Sequence, residues 1–327
     1  MTYHIFMDES HITIKEIAKE AHVGIGTVSR ALNNSPNISD VTKAKIQAVI
    51  KAHNYKPNAP AAHLARKTIS ARYVGLIVRN FRIRFFYEVF ESIHAALKKH
   101  HIRLLILEYS ENAGTFFSQI MELNLSGLIF FTMRPNRKDT AAMRSRNIPF
   151  ILIDSSLPHT YSITNDNYYG GKLAAEYLLR NGSQAPCYVH SKKSNQLDTL
   201  RYTGFRDGLK TALHTDGGTY AAALDENAGY KTGKKILSDR TADGVFCFSD
   251  EIAIGVLKAV RDAGSELPVI GYDGTRDTEG WGLSTISQNP YIIGKKAAAH
   301  IAALIAGSTP EQTAPLVLTP VLIDRGS

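Results

Sequence analysis

The 327-residue sequence is poor in cysteine, with only Cys187 and Cys247, and its one tryptophan is Trp281. Each cysteine sits in an apolar run (PCYV and VFCF), so both read as buried free thiols in a reducing compartment, not as a disulfide framework. No paired-Cys spacing with histidine partners occurs, so no zinc site, and no cofactor of any kind, is expected. Long apolar runs are missing as well: none approaches the ~20 residues that a membrane-crossing helix needs. The opening MTYHIFMDES lacks a basic segment followed by an apolar one, so no secretory signal is expected and the protein is placed in a bacterial cytoplasm. Catalytic signatures are absent too. There is no G-x-S-x-G, no H-E-x-x-H and no close His/Cys/Asp spacing beyond what twelve scattered histidines give. An enzyme is therefore not expected.

What is present is a large apolar fraction, 44%, and a net charge of +8 that is unevenly spread. Through Arg72 there are ten Lys/Arg against five Asp/Glu, which accounts for most of the excess. A basic first fifth on a nearly neutral body suggests a polyanion-binding head.

That head has a helical pattern. Thr13 and Glu16 have capping-box spacing, and Ile14, Ile17, Ala18 and Ala21 recur along one face. After Ala21-His22-Val23, Gly24 can cap a second short helix, Ile25 to Asn33, with Val28 and Leu32 inward. Ser39 caps a third, ending near Asn54, whose stripe is Ile46, Val49 and Ile50. Two short helices joined by a tight turn, with a third across them, form a helix-turn-helix module. Lys15, Arg30, Lys43, Lys45 and Lys56 are available for phosphates, and helix N-termini add backbone amides. Gly24-Ile-Gly26 is not a dinucleotide fingerprint, because the third glycine is missing and a helix precedes it. GYKTGKK, from Gly229, is not a P-loop: it has three residues between glycines and no Ser or Thr after the lysine.

From Tyr73 onward, short apolar runs alternate with helical stretches. VGLIV, RLLIL, GLIFF and PFILI read as strands, and PCYVH, GVFCF and PVIGYD form a second set after Tyr168. Such alternation means parallel sheets covered by helices, here in two lobes with a cleft beyond the strands' carboxyl ends.

The segment from Thr13 to Ala65, with TVSRALN followed by YKPN, resembles the DNA-binding head of the lactose-repressor (LacI/GalR) family. The likeness continues through TNDNYYGGKLAAEYLL, Arg201–Phe205, FSDEIAIGVLKAV, VIGYD, LSTISQNP and DRGS. It implies an all-α helix-turn-helix head on an α/β, doubly wound, two-lobed body like a periplasmic binding protein. The implied domains are a head over 1–57, a hinge helix and linker over 58–72, a first lobe over 73–163 and 290–315, and a second over 164–289 and 316–327. The implied function is a sequence-specific DNA-binding regulator, a repressor, with a small sugar-like effector between the lobes.

Carried over by position, DNA contact falls on Thr13, Ile14, Lys15, Gly24, Thr27, Ser29, Arg30, Asn33, Asn37, Tyr55 and Asn58, with base reading at Ile25 and Gly26. Here the chain departs from better-known members, which often have polar side chains at those two positions. Ile25 can meet only an apolar base edge such as a thymine methyl. Gly26 offers no side chain, although the two glycines are expected to keep the turn tight. The hinge candidate runs from Asn58 to Ala65, with a DNA contact at Ala61 and with Leu64 at the position that wedges between base steps of the minor groove. The partner implied is a double-stranded, pseudo-palindromic operator of about 14–20 base pairs bound by a homodimer. No segment beyond Asp324-Arg-Gly-Ser suggests the helix that makes some members tetramers.

The implied effector contacts are Phe86, Asp166, Arg201, Ser249 and Asp273, together with Arg82. Many members have a Pro-Asp start and a Ser-Asn-Pro before the two Phe; here RNFRIRFF has Ile83 in the Asn place and supplies Arg79, Arg82 and Arg84. If one of these faces the cleft, an anionic effector fits; if all face out, they only add surface charge. The alternative class is a solute-binding receptor or sugar-processing enzyme built on the same body. It would leave the first sixty residues without a purpose.

Overall fold

The computed structural model describes residues 13–32, 38–53, 72–79, 84–109, 116–193, 195–308 and 314–327. The chain divides into two units, Met1–Ala71 and Arg72–Ser327. In the first, α1 (Ile14–Glu20) is opened by the expected capping box: Thr13 N donates to Glu16 Oε2 at 2.6 Å, and Glu16 N to Thr13 Oγ1 at 3.4 Å. In α2 (Ile25–Leu32), Thr27 N and Val28 N donate to Gly24 O, so Gly24 begins that helix. Ser39 caps α3 (Asp40–Ala52). Ile17, Ala18, Ala21, Val28, Ala31 and Ile46 form one buried core, as the helical spacing requires.

The turn itself corrects the sequence reading. Neither Gly24 nor Gly26 takes a left-handed backbone; His22 does, at φ 52°. The turn is closed by Val23 N donating to Ala18 O at 2.9 Å.

The second unit holds two six-stranded sheets. The first lobe is built from β1 (Arg72–Val78), α4 (Arg84–Lys98), β2 (Ile102–Glu108), α5 (Phe116–Glu122), β3 (Gly127–Phe131), α6 (Arg137–Ser145), β4 (Phe150–Ile153) and β5 (Ser162–Asn165). The second contains α7 (Asn167–Arg180), β6 (Pro186–Ser191), α8 (Gln196–Leu213), β7 (Gly218–Ala222), α9 (Glu226–Asp239), β8 (Gly244–Cys247), α10 (Asp250–Asp262), β9 (Val269–Asp273), α11 (Asp277–Gly280) and β10 (Ser284–Ser287). The chain then returns: α12 (Pro290–Ile305) and β11 (Leu316–Leu318) rejoin the first lobe, and β12 (Val321–Ile323) ends in the second. Sheet orders are β11-β5-β4-β3-β1-β2 and β12-β10-β9-β8-β6-β7, parallel throughout except that β12 runs antiparallel to β10. Strands such as β3 are buried along their whole length, which is why they read as unbroken apolar runs.

The third crossing lies between β11 and β12. Leu316–Leu318 therefore belongs to the first sheet and not, as the boundary at 316 implied, to the second lobe. Both β7 and α9 were unexpected. The GYKTGKK stretch lies within α9, where Gly229 packs against the Ile252 backbone with no room for a Cβ. Cys187 and Cys247 are fully buried and unpaired on neighbouring strands β6 and β8.

Candidate functional site

Two faces carry chemistry. On the head, α2 buries Val28 and Ala31 and turns Ile25, Gly26 and Arg30 outward; Ile25 is 46% exposed. Thr27 and Ser29 are half-buried beside them, and Thr13 and Lys15 are exposed at the start of α1. Ile14 instead packs onto the head's core. Arg30 Nε donates to Gly26 O at 3.2 Å, which lays its guanidinium along the helix. A Cβ built on Gly26 meets nothing within 4 Å. Asn33, Asn37, Tyr55, Asn58, Ala61 and Leu64 lie outside the described residues, as does Arg82.

The second is a buried polar cluster where the two lobes meet, centred on Arg201, which is 2% exposed. Its position depends on two glycines. Gly171 on α7 abuts the Arg201 carbonyl and Gly204 on α8 abuts the Tyr168 carbonyl, so the two helices touch where any Cβ would collide. The guanidinium is then fixed from several sides. Nε donates to Asn167 Oδ1 at 2.9 Å, Nη1 donates to Phe248 O at 2.6 Å, and Asp273 Oδ1 lies 3.7 Å away. Its centre lies 3.7 Å from the Tyr272 ring centroid and 4.6 Å from that of Phe248, in cation–π geometry.

Asp273 ends β9 at φ 126°, a strained backbone for a residue with a side chain. It accepts from Gln288 Nε2 at 2.6 Å, and burial pushes its carboxyl well above the usual range against the pull of Arg201. The Gln288 oxygen in turn accepts from Asn165 Nδ2 at 3.2 Å, which ties together two of the chain's crossings between lobes.

Ser249 and Asp166 stand where expected, at strand ends, and both also serve as helix caps: Ser249 Oγ for Ile252 N and Asp166 Oδ1 for Tyr169 N. Ser249 is buried and Asp166 exposed. Phe86, expected against the effector, packs inside the first lobe's core, edge-on to Phe131 at 5.3 Å. Of the three arginines, Arg84 faces neither an effector nor bulk water alone. It spans the lobes to Glu226 and Asp277, while its backbone N donates to Glu251 Oε1 at 2.8 Å. Arg79 is exposed, over the Tyr109 ring.

Sequence reasoning missed part of the site. Asp154, at the end of β4, is buried with Oδ1 unpartnered, and burial lifts its carboxyl to about 6 despite Arg201. Asn165 Oδ1, Glu251 Oε2 and the Tyr272 hydroxyl are likewise buried without a partner. Buried polar atoms are normally satisfied, so these orphans, at the ends of β4, β5 and β9 and in the first turn of α10, mark a place for a polar ligand. The available signal was a polar residue directly after an apolar strand, as in PFILID and VIGYD. Among the described residues no His/Cys/Asp/Glu group could hold a metal, and no helix is long and apolar enough to cross a membrane.

A trihelical head that turns a short helix outward, followed by a two-lobed binding body with a polar cleft, defines the class of ligand-responsive DNA-binding regulators. Residues 13–58 match "Bacterial regulatory proteins, lacI family", and residues 74–309 match "Periplasmic binding protein domain". The chain belongs to the lacI family and is a DNA-binding transcriptional regulator. It is 31% identical to the sucrose operon repressor of Streptococcus mutans over 288 residues, covering 84% of this chain and 87% of that one. It is 27% identical to the HTH-type transcriptional repressor PurR of Pectobacterium carotovorum over 331 residues, 96% of each. Among solved structures, the lac repressor dimer bound to operator and an anti-inducer shares its fold, with a TM-score of 0.70 at 23% identity over 96% of this chain and 98% of that one. These relatives are repressors, which sets the enzymatic alternative aside.

Proposed function

We propose that the chain is a cytoplasmic, homodimeric repressor that grips a pseudo-palindromic operator with two heads. Its affinity is set by a small sugar or sugar derivative held between the lobes. The observation that carries this reading is the pairing, in one chain, of the outward Ile25–Arg30 face with a cleft whose buried polar atoms lack partners. Ile25 touches an apolar base edge, Arg30 and the exposed Thr13 and Lys15 hold phosphates, and Gly26 lets the helix backbone come close. In the cleft, Arg201, Asp273, Ser249, Asp166 and Asp154 orient the effector. Its grip need favour one lobe arrangement by only a few kcal/mol, and the coupling to DNA is reciprocal. The sucrose operon repressor's name supports the sugar class. Arg84 is occupied by Glu226 and Asp277 and so adds nothing to an anionic effector.

An operator is recovered by selecting bound genomic fragments, and binding is then followed as salt rises. A steep fall in affinity on random duplex, with tighter binding to the selected site, is expected. A flat response, as a receptor or sugar-processing enzyme would give, overturns the reading. In the hinge, Leu64→Ala is expected to weaken operator binding far more than random-duplex binding; equal losses remove the wedge role.

A further inference from the structure

We propose that the interlobe cleft takes a hydroxylated organic cation, an amino sugar or a similar hydroxylated primary amine, in preference to its neutral or anionic counterparts. This rests on the reading of the cleft as the effector site and specifies its ligand.

The first argument is the type of atom left without a partner. Of the four orphaned buried side-chain atoms among the described residues, Asp154 Oδ1, Asn165 Oδ1 and Glu251 Oε2 are acceptors; the fourth is the Tyr272 hydroxyl, and none is a nitrogen. The bond network fixes this polarity. Gln288 gives its N–H to Asp273, so its oxygen faces the Asn165 amide nitrogen and the Asn165 oxygen must point elsewhere. Glu251 has Oε1 held by the Arg84 backbone N–H, while Oε2 is buried without a partner. Of the donors nearby, Arg201 Nε and Nη1 each hold one acceptor, Asn167 Oδ1 and Phe248 O. A ligand that satisfies these three carbonyl and carboxylate oxygens must bring donors to them.

The second argument is charge. The carboxyls of Asp154, Asp250, Glu251 and Asp273 are all buried, and the guanidinium buried with them is that of Arg201. Asp250 is balanced by neutral donors, accepting from Thr275 N, Thr275 Oγ1 and Thr285 Oγ1. Arg84, the next cation, is spent on Glu226 and Asp277. Burial raises the Asp154 and Asp273 carboxyls. An incoming ammonium group reverses that strain, and a phosphate or carboxylate adds to it. Hydroxyls beside the ammonium supply donors to the orphaned oxygens that the ammonium does not reach.

The test uses full-length protein and thermal shift. The probes are glucosamine, galactosamine and mannosamine, their neutral parent sugars, the N-acetylated amines, gluconate and glucose 6-phosphate. At least one free amine is expected to stabilise the body at concentrations at least about tenfold below its parent and its N-acetyl form, with the anions inert. Glu251→Gln is expected to weaken that amine's effect by about tenfold and leave the neutral sugars unchanged. Because the N-acetyl comparison is made on the unaltered protein, it decides the matter even where the variant folds poorly. Parent sugars as effective as the amines, stabilising anions, or no response to any amine overturns the inference. If operator binding persists in that case, only the ligand assignment falls. If operator binding is absent as well, the functional reading falls with it.

Discussion

Arg84 of α4 in the first lobe stands 2.9 Å (Nη1 to Oδ2) from Asp277 of the second, and the same guanidinium meets Glu226 at the start of α9. One side chain thus links the two lobes, and a second bridge, Arg276 to Glu91 at 3.0 Å, links them as well. All these partners are more than a third exposed, so water and salt weaken the attraction.

Arg84→Ala is therefore expected to cost at most about 1 kcal/mol of stability. In a body of this size that lowers Tm by about 2–4 °C. Its effect on shape is larger: with the tie gone, the lobes spend more time apart. Small-angle scattering is expected to show a larger radius of gyration for the variant in low salt, with the difference shrinking as salt rises. Identical scattering curves at all salt concentrations would refute the tie.

Gly26→Ala is expected to stabilise the head by about 1 kcal/mol, since a helical glycine is costly and the added methyl meets nothing within 4 Å. The same methyl points outward from α2, so operator affinity should fall. Calorimetry of the head's transition and anisotropy on the selected operator check the two halves. A stabilised head with undiminished affinity would mean that the helix does not come close to the DNA.

Asp154 gives a signed pH prediction. Its folded value of about 6 lies above the usual 3.8. Between those values the folded chain keeps a proton that the unfolded chain has released, so stability falls as pH rises through that window. Above it the burden amounts to about 3 kcal/mol. His300, stacked 3.5 Å from Tyr161 and pushed down to about 4 by burial, works the other way, losing stability as pH falls. Comparing Asp154→Asn with the parent isolates the first effect. In urea unfolding the variant should be clearly more stable at about pH 7.5, with its advantage shrinking at about pH 4.5. A constant difference would show that Asp154 does not titrate in this way.

Arg201→Lys keeps the charge but loses the two-sided hydrogen bonding and the ring contacts. The body should lose about 2–4 kcal/mol, and the remaining folded protein should bind operator without responding to the effector. Anisotropy with and without the stabilising ligand reads this directly. A normal response would remove Arg201 from the site.

Much of this architecture was legible in the sequence for local reasons. Thr13 and Glu16 announce α1, the inward positions Val28 and Ile46 follow from helical spacing, and fully buried strands such as GLIFF show as unbroken apolar runs. The misses have local causes as well. The edge strand β7 is largely exposed, so GTYAA carries almost no apolar signal. The glycines of α9 lie against α10 and so look like a loop. The left-handed residue of the turn is His22 and not a glycine; His101, His159 and His214 take the same backbone, so glycine alone does not mark such positions. The cleft was only half visible, because Asp154, Asn165, Arg201, Glu251 and Asp273 come from five separate stretches that only the folded sheets bring together.

The two thiols have a practical consequence. Cys187 is pushed up to about 12 and Cys247 well above its ordinary value, both by complete burial, so neither offers a thiolate to a reagent. A maleimide fluorophore added to the folded protein would leave them untouched. One new cysteine on the outer surface of each lobe could then be labelled without removing the natural pair, and energy transfer between the dyes would follow opening and closing molecule by molecule.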